Sequence, residues 1–157
     1  MVHENVNTFV GLVLEGSTPT SAWRYCSKGS LQDTLLNTAI KIDWFFKYSL
    51  IRDLTSGLEF IHNSQLISHG SLKSTNCVIN NRWVLKITDF GLPGVRVSPD
   101  CSIGSLLWTA PELLRMENRP PGGTQPGDIY SFAIIVQEII ARDIPFGAFH
   151  KTPQGNY

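Results

Sequence analysis

The eight residues His69-Gly70-Ser71-Leu72-Lys73-Ser74-Thr75-Asn76 are the first of three short strings that occur in a fixed order. The second string is Asp89-Phe90-Gly91, and the third is Ala110-Pro111-Glu112. A short motif carries little weight alone, since such strings recur by chance. The combination of three strings, in this order and with this spacing, is very specific. Together they predict one particular arrangement of strands, helices and loops around them.

A hairpin is predicted between the first two strings. The apolar runs 77–79 and 84–87 flank Asn80-Asn81-Arg82, and asparagine tolerates the positive φ that a tight hairpin turn requires. Between the last two strings, residues 92–109 hold prolines and glycines with little periodicity, which indicates a surface loop of 18 residues. A loop of that length usually has a function.

Helices are predicted on both sides of the strings. Ser30 precedes a short helix with an apolar face, and Asp43 precedes a strongly amphipathic helix from Trp44 to His62. Ala110-Pro111-Glu112 begins a short helix, which the proline and glycine run at 120–123 ends. The apolar residues from Asp128 to Ala141 are nearly continuous, so we expect that helix to be the most buried element, covered on most sides, with Phe132 in its core.

The N-terminal part reads as strands, and the C-terminal end reads as frayed chain. Two strand-like pieces, Val6 to Leu14 and Ala22 to Cys26, are separated by the turn-forming stretch 15–21, and residues 145–157 show no clear pattern. Strands followed mostly by helices predict an α+β fold.

Composition and charge exclude several classes of protein. A chain of 157 residues with 42% apolar and 17% charged residues is expected to form one globular domain. Thirteen basic and thirteen acidic residues leave no net charge, which disfavours nucleic acid as a partner. No apolar run approaches the roughly 20 residues of a membrane span, and the N-terminus has no signal-peptide pattern, so the chain taken alone is expected to be cytoplasmic.

Cysteines and histidines do not cluster along the sequence. Their positions suit neither a disulfide framework nor a metal site, and reduced thiols are expected. The residues are Cys26, Cys77, Cys101, His3, His62, His69 and His150.

The three strings resemble the motif set of protein kinases, in which His-Arg-Asp-Leu with a later Asn precedes Asp-Phe-Gly and Ala-Pro-Glu. The spacing from His69 to Asn76 is that of the kinase catalytic loop. The resemblance implies a protein-kinase-like α+β fold, with a mostly helical large lobe and remnant small-lobe strands. It places residues 1–26 in a remnant of the small lobe and hinge, and residues 27–157 in a partial large lobe.

A narrower resemblance is to the kinase-homology domain of membrane receptor guanylate cyclases. It is carried by the stretches 24–33, 69–79 and 84–91. It implies a catalytically inactive regulatory domain that senses ATP and controls cyclic GMP synthesis by the cyclase, a lyase, of a longer parent. In that parent the domain would lie on the cytosolic side of the plasma membrane, between a transmembrane receptor segment and the cyclase domain, and a homodimer stays open.

Two departures from the kinase pattern bear on catalysis. A kinase needs a carboxylate in the catalytic loop to accept the substrate hydroxyl's proton, and Ser71 stands at that position. A neutral hydroxyl is no substitute base, and general-base help is worth roughly 10² to 10⁴ in rate. The preceding arginine, which in kinases can pair with a phosphorylated activation loop, is Gly70. We therefore expect no catalytic residue and no kinase activity from this chain.

Three residues match a cofactor site in the resemblance. Lys73 could meet a terminal phosphate of ATP, and Asn76 and Asp89 match the two magnesium ligands, although a turn amide and a loop anchor are equally good interpretations of the last two. No glycine-rich phosphate loop precedes His3, and no strand lysine for the phosphates is present. We therefore expect ATP and Mg²⁺ in the parent, and weak or no ATP binding by this chain.

Other motif residues are expected to act structurally. Asp128 matches a residue that holds the backbone of the catalytic loop, although it could also be a helix N-cap. His69 and Phe90, with Gly91 beside them, match positions in the internal packing of kinases. Glu112 matches a residue that pairs with an arginine of a later helix.

Two competing functions remain open at this stage. The chain could be an interaction fragment that binds no nucleotide, because a truncated lobe would expose faces built for burial. It could also be an active protein kinase, which the missing catalytic groups disfavour. Arg24 and the polar stretch 18–21 stand where the cyclase family shows an acidic residue and an apolar strand, so the hinge is predicted to differ from that family.

Overall fold

A computed structural model describes residues 2–15, 19–91 and 105–147. Strands and helices are mixed, so the predicted α+β fold is confirmed. The strands are β1 (Phe9–Val13), β2 (Thr20–Trp23), β3 (Cys77–Ile79) and β4 (Leu85–Ile87). The helices are α1 (Leu31–Leu36), α2 (Trp44–His62), α3 (Pro111–Arg115) and α4 (Gln125–Ala141), with 3₁₀ turns at Ser74–Asn76 and Ser105–Trp108.

Helix α2 has the bounds that the sequence predicts. The Asp43 side chain accepts a hydrogen bond from the backbone N–H of Phe46, which satisfies one of the free donors at the helix start. One face of the helix is buried in the core, and its first turn is exposed to solvent. Helix α1 also begins as predicted, because Ser30 and Asp33 form a reciprocal capping box.

The hairpin β3–β4 lies at the centre of the core. The strands pair antiparallel, with Cys77 opposite Ile87 and Ile79 opposite Leu85, and all four residues are fully buried. The turn differs from the prediction in one detail, because its positive φ falls on Trp83 rather than on an asparagine. The Asn80 side-chain oxygen instead accepts from two backbone N–H groups of the turn, which fixes its shape.

The N-terminal segment Asn5–Asn7 adds to this hairpin. Val6 forms a parallel bridge with Ile87, whose backbone N–H donates to the Asn5 carbonyl at 2.9 Å and whose carbonyl accepts from the Asn7 N–H at 2.7 Å. A Cβ on Gly57 would lie 2.5 Å from the Asn5 carbonyl oxygen, so a glycine in α2 permits this approach. The segment therefore packs against the elements of the predicted large lobe; the division of the chain at residue 26 stays a prediction.

The hairpin β1–β2 is exposed over much of its surface. Strand β2 begins at Thr20 and ends at Trp23, so the predicted strand from Ala22 to Cys26 lay too late in the chain. Thr20 and Ser21, which we assigned to the turn, lie in the strand. The reason is the antiparallel register with β1, which overrides the turn propensity of these two residues.

Helix α4 is buried on one face and not on most sides. Ile129 is 54% exposed and Ile140 is 45% exposed, so the prediction that this helix is covered on most sides was wrong. The helix nevertheless has seven buried residues, more than any other described element, and Phe132 is partly buried against the core. A continuous apolar run does not show how many faces a helix buries. The helix begins at Gln125, with the Thr124 side chain as its N-cap.

Several predictions concern other parts of the chain. Helix α3 has proline in its first turn as expected but ends at Arg115, before the predicted proline and glycine stop. Cys26 and Cys77 are buried free thiols. Cys101, His150, most of the predicted loop 92–109 and residues 148–157 lie outside the described residues. Within the described ranges, no helix has both the length and the apolar character that a bilayer span needs.

Candidate functional site

The start of the loop at His69 is fixed to helix α4 by the carboxylate of Asp128. Asp128 accepts hydrogen bonds from the backbone N–H groups of His69, at 2.7 Å, and Gly70, at 2.9 Å. The ring nitrogen Nε2 of His62, at the end of α2, lies 2.9 Å from the same carboxylate. Asp128 is 2% exposed, so these contacts satisfy a buried charge. Thr124 takes the N-cap role that we had also considered for Asp128.

Gly70 occupies a position that has no room for a side chain. Its φ is +75°, and a Cβ there would overlap the backbone of Gly122, whose carbonyl also accepts from the Ser68 hydroxyl at 2.8 Å. The left-handed conformation and the close approach both require glycine. An arginine, which kinases have at this position, would not fit here, because the loop backbone at Gly70 contacts the segment before α4.

Ser71 is half-buried and its backbone is engaged on both sides. Its N–H donates to Nδ1 of His69 at 3.2 Å, and its carbonyl accepts from the Asn76 amide at 2.9 Å. The sequence places a hydroxyl where the kinase mechanism needs a carboxylate. The loop thus has a hydroxyl side chain at residue 71, and hydrogen bonds hold the backbone there on both sides.

Asn76 and Asp89 are brought together by the central hairpin. The Thr88 N–H donates to the Asn76 carbonyl at 2.9 Å, so Asp89, the next residue, lies beside Asn76. Asp89 is half-buried with φ of +61°, a conformation that aspartate tolerates better than most residues. Because the Asn76 amide nitrogen is engaged by Ser71, its oxygen is the atom that a cation would use. One carboxylate and one amide oxygen suit Mg²⁺, which takes few protein ligands and keeps waters or phosphates.

Lys73 belongs to the same loop. Its backbone is extended and immediately precedes the 3₁₀ turn that carries Asn76. Lys73 therefore lies close to Asn76 in the chain, and the shared role that the resemblance implies for Lys73, Asn76 and Asp89 stays a prediction. In the described part of the chain no group of three His, Cys, Asp or Glu residues could hold a metal by itself.

Phe90 is packed between two rings. The Trp23 ring lies edge-on to it at 4.8 Å between centroids, and the His69 ring lies edge-on at 6.4 Å. His69 is 2% exposed, and its Nε2 lies 2.9 Å from the Thr88 carbonyl. Gly91, with φ of +71°, packs closely against Leu66. These contacts connect the β1–β2 hairpin with the loop that Asp128 holds. The contact of Trp23 with Phe90 was not predicted from the sequence.

Glu112 lies apart from these residues. It is exposed in the first turn of α3, and the ion pairs among the described residues do not include it. The pairing that the resemblance implies for Glu112 stays a prediction.

A second buried carboxylate was missed in the sequence. Glu138 in α4 is 1% exposed, and it accepts from the Ser74 hydroxyl and from the Trp108 indole N–H, each at 2.8 Å. Burial raises the pKa of Glu138 from 4.5 to about 7, although these hydrogen bonds oppose the rise. Burial also raises the pKa of the Cys77 thiol, and the Glu138 charge adds to that effect. The available signal was a lone carboxylate within the apolar stripe of a helix.

The comparisons with known proteins agree with this geometry. The family described as protein tyrosine and serine/threonine kinase matches residues 1–153. The chain is 49% identical to atrial natriuretic peptide receptor 2 of Homo sapiens, over 90% of this chain and 14% of that protein. It is 47% identical to the receptor-type guanylate cyclase gcy-28 of Caenorhabditis elegans, over 89% of this chain and 12% of that protein.

A third relative is the receptor-type guanylate cyclase Gyc76C of Drosophila melanogaster, at 46% identity over 97% of this chain and 10% of that protein. The chain thus spans between 10% and 14% of the length of these three relatives. The family match covers nearly all of the chain, and two of the three relatives are named as receptor-type guanylate cyclases. The chain therefore belongs to the protein kinase family, and within it to the kinase-homology domains of receptor guanylate cyclases.

Proposed function

We propose that the chain is a catalytically inactive, kinase-like regulatory domain of a receptor guanylate cyclase. In a full-length parent it would sense ATP and control cyclic GMP synthesis by a cyclase domain. Such a parent would carry a transmembrane receptor segment and hold this domain on the cytosolic side of the plasma membrane. Receptor-type guanylate cyclases among the relatives support this proposal.

The observation that carries the proposal is the loop from His69 to Asn76. Asp128 holds its backbone, and Asn76 holds the Ser71 carbonyl, so the loop has a defined shape. Ser71 nevertheless offers no carboxylate to accept a proton from a substrate hydroxyl. A loop of defined shape that has no carboxylate base at Ser71 favours nucleotide binding and regulation over phosphoryl transfer.

The residues present fit ATP with Mg²⁺. Asn76 and Asp89 would share the cation, and Lys73 would meet a terminal phosphate, which supplies charge neutralisation for the nucleotide. Neither β1 nor β2 carries a basic residue in its sequence. For this chain alone we therefore expect a dissociation constant for ATP weaker than about 1 mM, which corresponds to about −4 kcal/mol.

A phosphoryl-transfer assay tests the absence of catalysis. The chain is incubated with radiolabelled ATP, Mg²⁺ and a mixed protein substrate, beside the variant Asp89→Ala. We expect both proteins to show the same background. Transfer by the unmodified chain that Asp89→Ala abolishes would show that the chain is an active kinase.

A second experiment tests nucleotide sensing in the parent. Cyclic GMP synthesis is measured with and without a non-hydrolysable ATP analogue in the unmodified receptor, in Asn76→Ala and in the matched control Asn81→Ala. Asn81 is exposed in the turn of the central hairpin. We expect the nucleotide response to be lost in Asn76→Ala alone. An unchanged response in Asn76→Ala would refute this site.

A second candidate is an interaction fragment without nucleotide. It is favoured by the exposed aromatic side chains in the first turns of α2, where Trp44 is 68%, Phe45 is 82% and Tyr48 is 66% exposed. Exposed apolar surface promotes association. Light scattering at increasing concentration separates the candidates. Self-association without ATP binding, abolished by Phe45→Ser, would support the interaction fragment.

A further inference from the structure

Glu138 connects three elements that are far apart in sequence. Its Oε1 accepts from the hydroxyl of Ser74, which precedes Asn76 by two residues, and its Oε2 accepts from Trp108 in the turn before α3. The Gln32 side chain of α1 also hydrogen-bonds to it. The carboxyl group therefore holds the loop from His69 to Asn76, the segment before α3 and helix α1 against α4.

The surroundings of Glu138 contain no ion pair for it among the described residues. The ion pairs there are Arg52 with Asp53 and His62 with Asp128. Helices α1, α2 and α4 and the 3₁₀ turn at Ser74–Asn76 pack around Glu138. The titratable and charged groups on or beside these elements are Asp33, Lys47, Tyr48, Arg52, Asp53, Glu59, His62, Lys73, Cys77, Asp128, Tyr130 and Arg142. Lys47 contacts the carbonyl of Ile140, and Arg142 contacts the carbonyls of Leu35 and Asn37. Burial therefore has the largest effect on the pKa of Glu138 and raises it, whereas the hydrogen bonds lower it.

We propose that Glu138 is a proton-sensitive latch, a positioning residue that holds Ser74 and Trp108 against α4 and changes its hydrogen bonds when its carboxyl group gains or loses a proton. This inference does not depend on nucleotide binding.

The chemistry of the bonded groups explains how these hydrogen bonds change. The ionised carboxyl accepts from all of its neighbours, whereas the protonated form must also donate one hydrogen bond. The indole N–H of Trp108 can only donate, so the Ser74 hydroxyl or the Gln32 amide must turn to accept. Gain of a proton therefore rearranges the bond to Ser74, in the 3₁₀ turn that carries Asn76, or the bond to Gln32 in α1.

The direction of the stability change follows from the raised pKa. Since the pKa of Glu138 is about 7 in the fold and 4.5 ordinarily, the fold favours the protonated form. The contribution of this group to stability is complete below about pH 4.5 and is lost as the pH rises through 7. Well above pH 7 the contribution of Glu138 to stability no longer changes with pH.

The test follows the indole N–H signals of the ¹⁵N-labelled 157-residue chain by nuclear magnetic resonance from pH 5.5 to 8.5. The Trp108 signal is assigned with Trp108→Phe. We expect it to shift with a midpoint near pH 7 in the unmodified chain and in the control Glu117→Gln, and to stay constant in Glu138→Gln. We also expect unfolding midpoints in urea to fall across this range in the unmodified chain but not in Glu138→Gln.

Two results would overturn the latch: a constant Trp108 signal in the unmodified chain, or the same shift in Glu138→Gln. If Glu138→Gln does not fold, Ser74→Ala decides. Because the Ser74 hydrogen bond lowers the pKa of Glu138, its removal is expected to move the Trp108 midpoint to higher pH. An unmoved midpoint in Ser74→Ala would then refute the proposal.

Discussion

The two antiparallel hairpins of this domain have the same local pairing and opposite surroundings. One face of the β3–β4 hairpin, which includes Leu85, is completely buried. Helices α1 and α2 and the segment Asn5–Asn7 cover this hairpin. In β1–β2, Leu12 is 41% exposed, and Val10 is 69% exposed. Strand pairing alone therefore does not determine how much a hairpin contributes to stability; the elements that cover it do.

The difference also explains where the candidate site lies. Asn76 precedes β3 directly and Asp89 follows β4 by two residues, so both are attached to the rigid hairpin. The exposed hairpin contributes one aromatic contact, from Trp23 to Phe90. A binding site held on well-packed elements keeps its geometry more accurately than one held on a mobile edge.

The largest effect is expected for the matched pair Leu85→Ala and Leu12→Ala. Leu85 is completely buried, so its truncation should lower the free energy of unfolding by about 2–5 kcal/mol. Leu12→Ala should lower it by less than about 1 kcal/mol, since much of the side chain is already in water. Urea unfolding measures both. Equal losses would show that the two hairpins are equally important to the fold.

The next effect concerns two glycines. Gly70→Ala forces a side chain into a left-handed conformation and against the Gly122 backbone, so we expect a loss of at least about 2 kcal/mol. Gly11 in β1 has open space around its Cα, and Gly11→Ala should change stability by less than about 1 kcal/mol. Thermal unfolding by circular dichroism compares them. A harmless Gly70→Ala would mean that the loop does not contact residue 122 in this way.

A smaller effect is expected when the strand-like N-terminal segment loses its side-chain bond. Asn5 donates from its amide to the Leu85 carbonyl at 3.1 Å, and both groups are buried. Asn5→Ala leaves that carbonyl without this donor and should cost about 1–2 kcal/mol. The exposed Asn81→Ala is the control and should be neutral within about 0.5 kcal/mol. Hydrogen exchange at the Ile87 amide should increase in Asn5→Ala; unchanged exchange there would contradict the docking of this segment.

The smallest effect is expected at the cap of α1, beside β3. Ser30 accepts from the Asp33 N–H and bridges Val78, so Ser30→Ala should lower the free energy of unfolding by about 1 kcal/mol. Thr38→Ala, at an exposed position after the same helix, serves as the control. Denaturant unfolding would detect the difference. If both substitutions had the same effect, the cap would contribute nothing beyond local helix propensity.

The sequence predicted the local features well, for reasons that act within a few residues. Asp43 and the apolar period gave both ends of α2, and Ser30 gave the start of α1, because caps and periodicity are short-range signals. The predicted start of β2 was wrong, because the register of this strand depends on its pairing with β1 across a turn. The candidate site residues Asn76 and Asp89 were predicted from motif spacing, and their adjacency follows from the hairpin between them.

From the sequence alone follow the three strings, the kinase-like fold and the presence of Ser71 where the kinase motif has a carboxylate. The tertiary structure decided which hairpin is buried, which contacts require Gly70, and that Glu138 binds Ser74 and Trp108. These contacts join residues that are 30 to 64 positions apart, or bring two loop backbones together. Local propensity carries no information about such pairs, because only the packing of whole elements determines which distant groups leave water together.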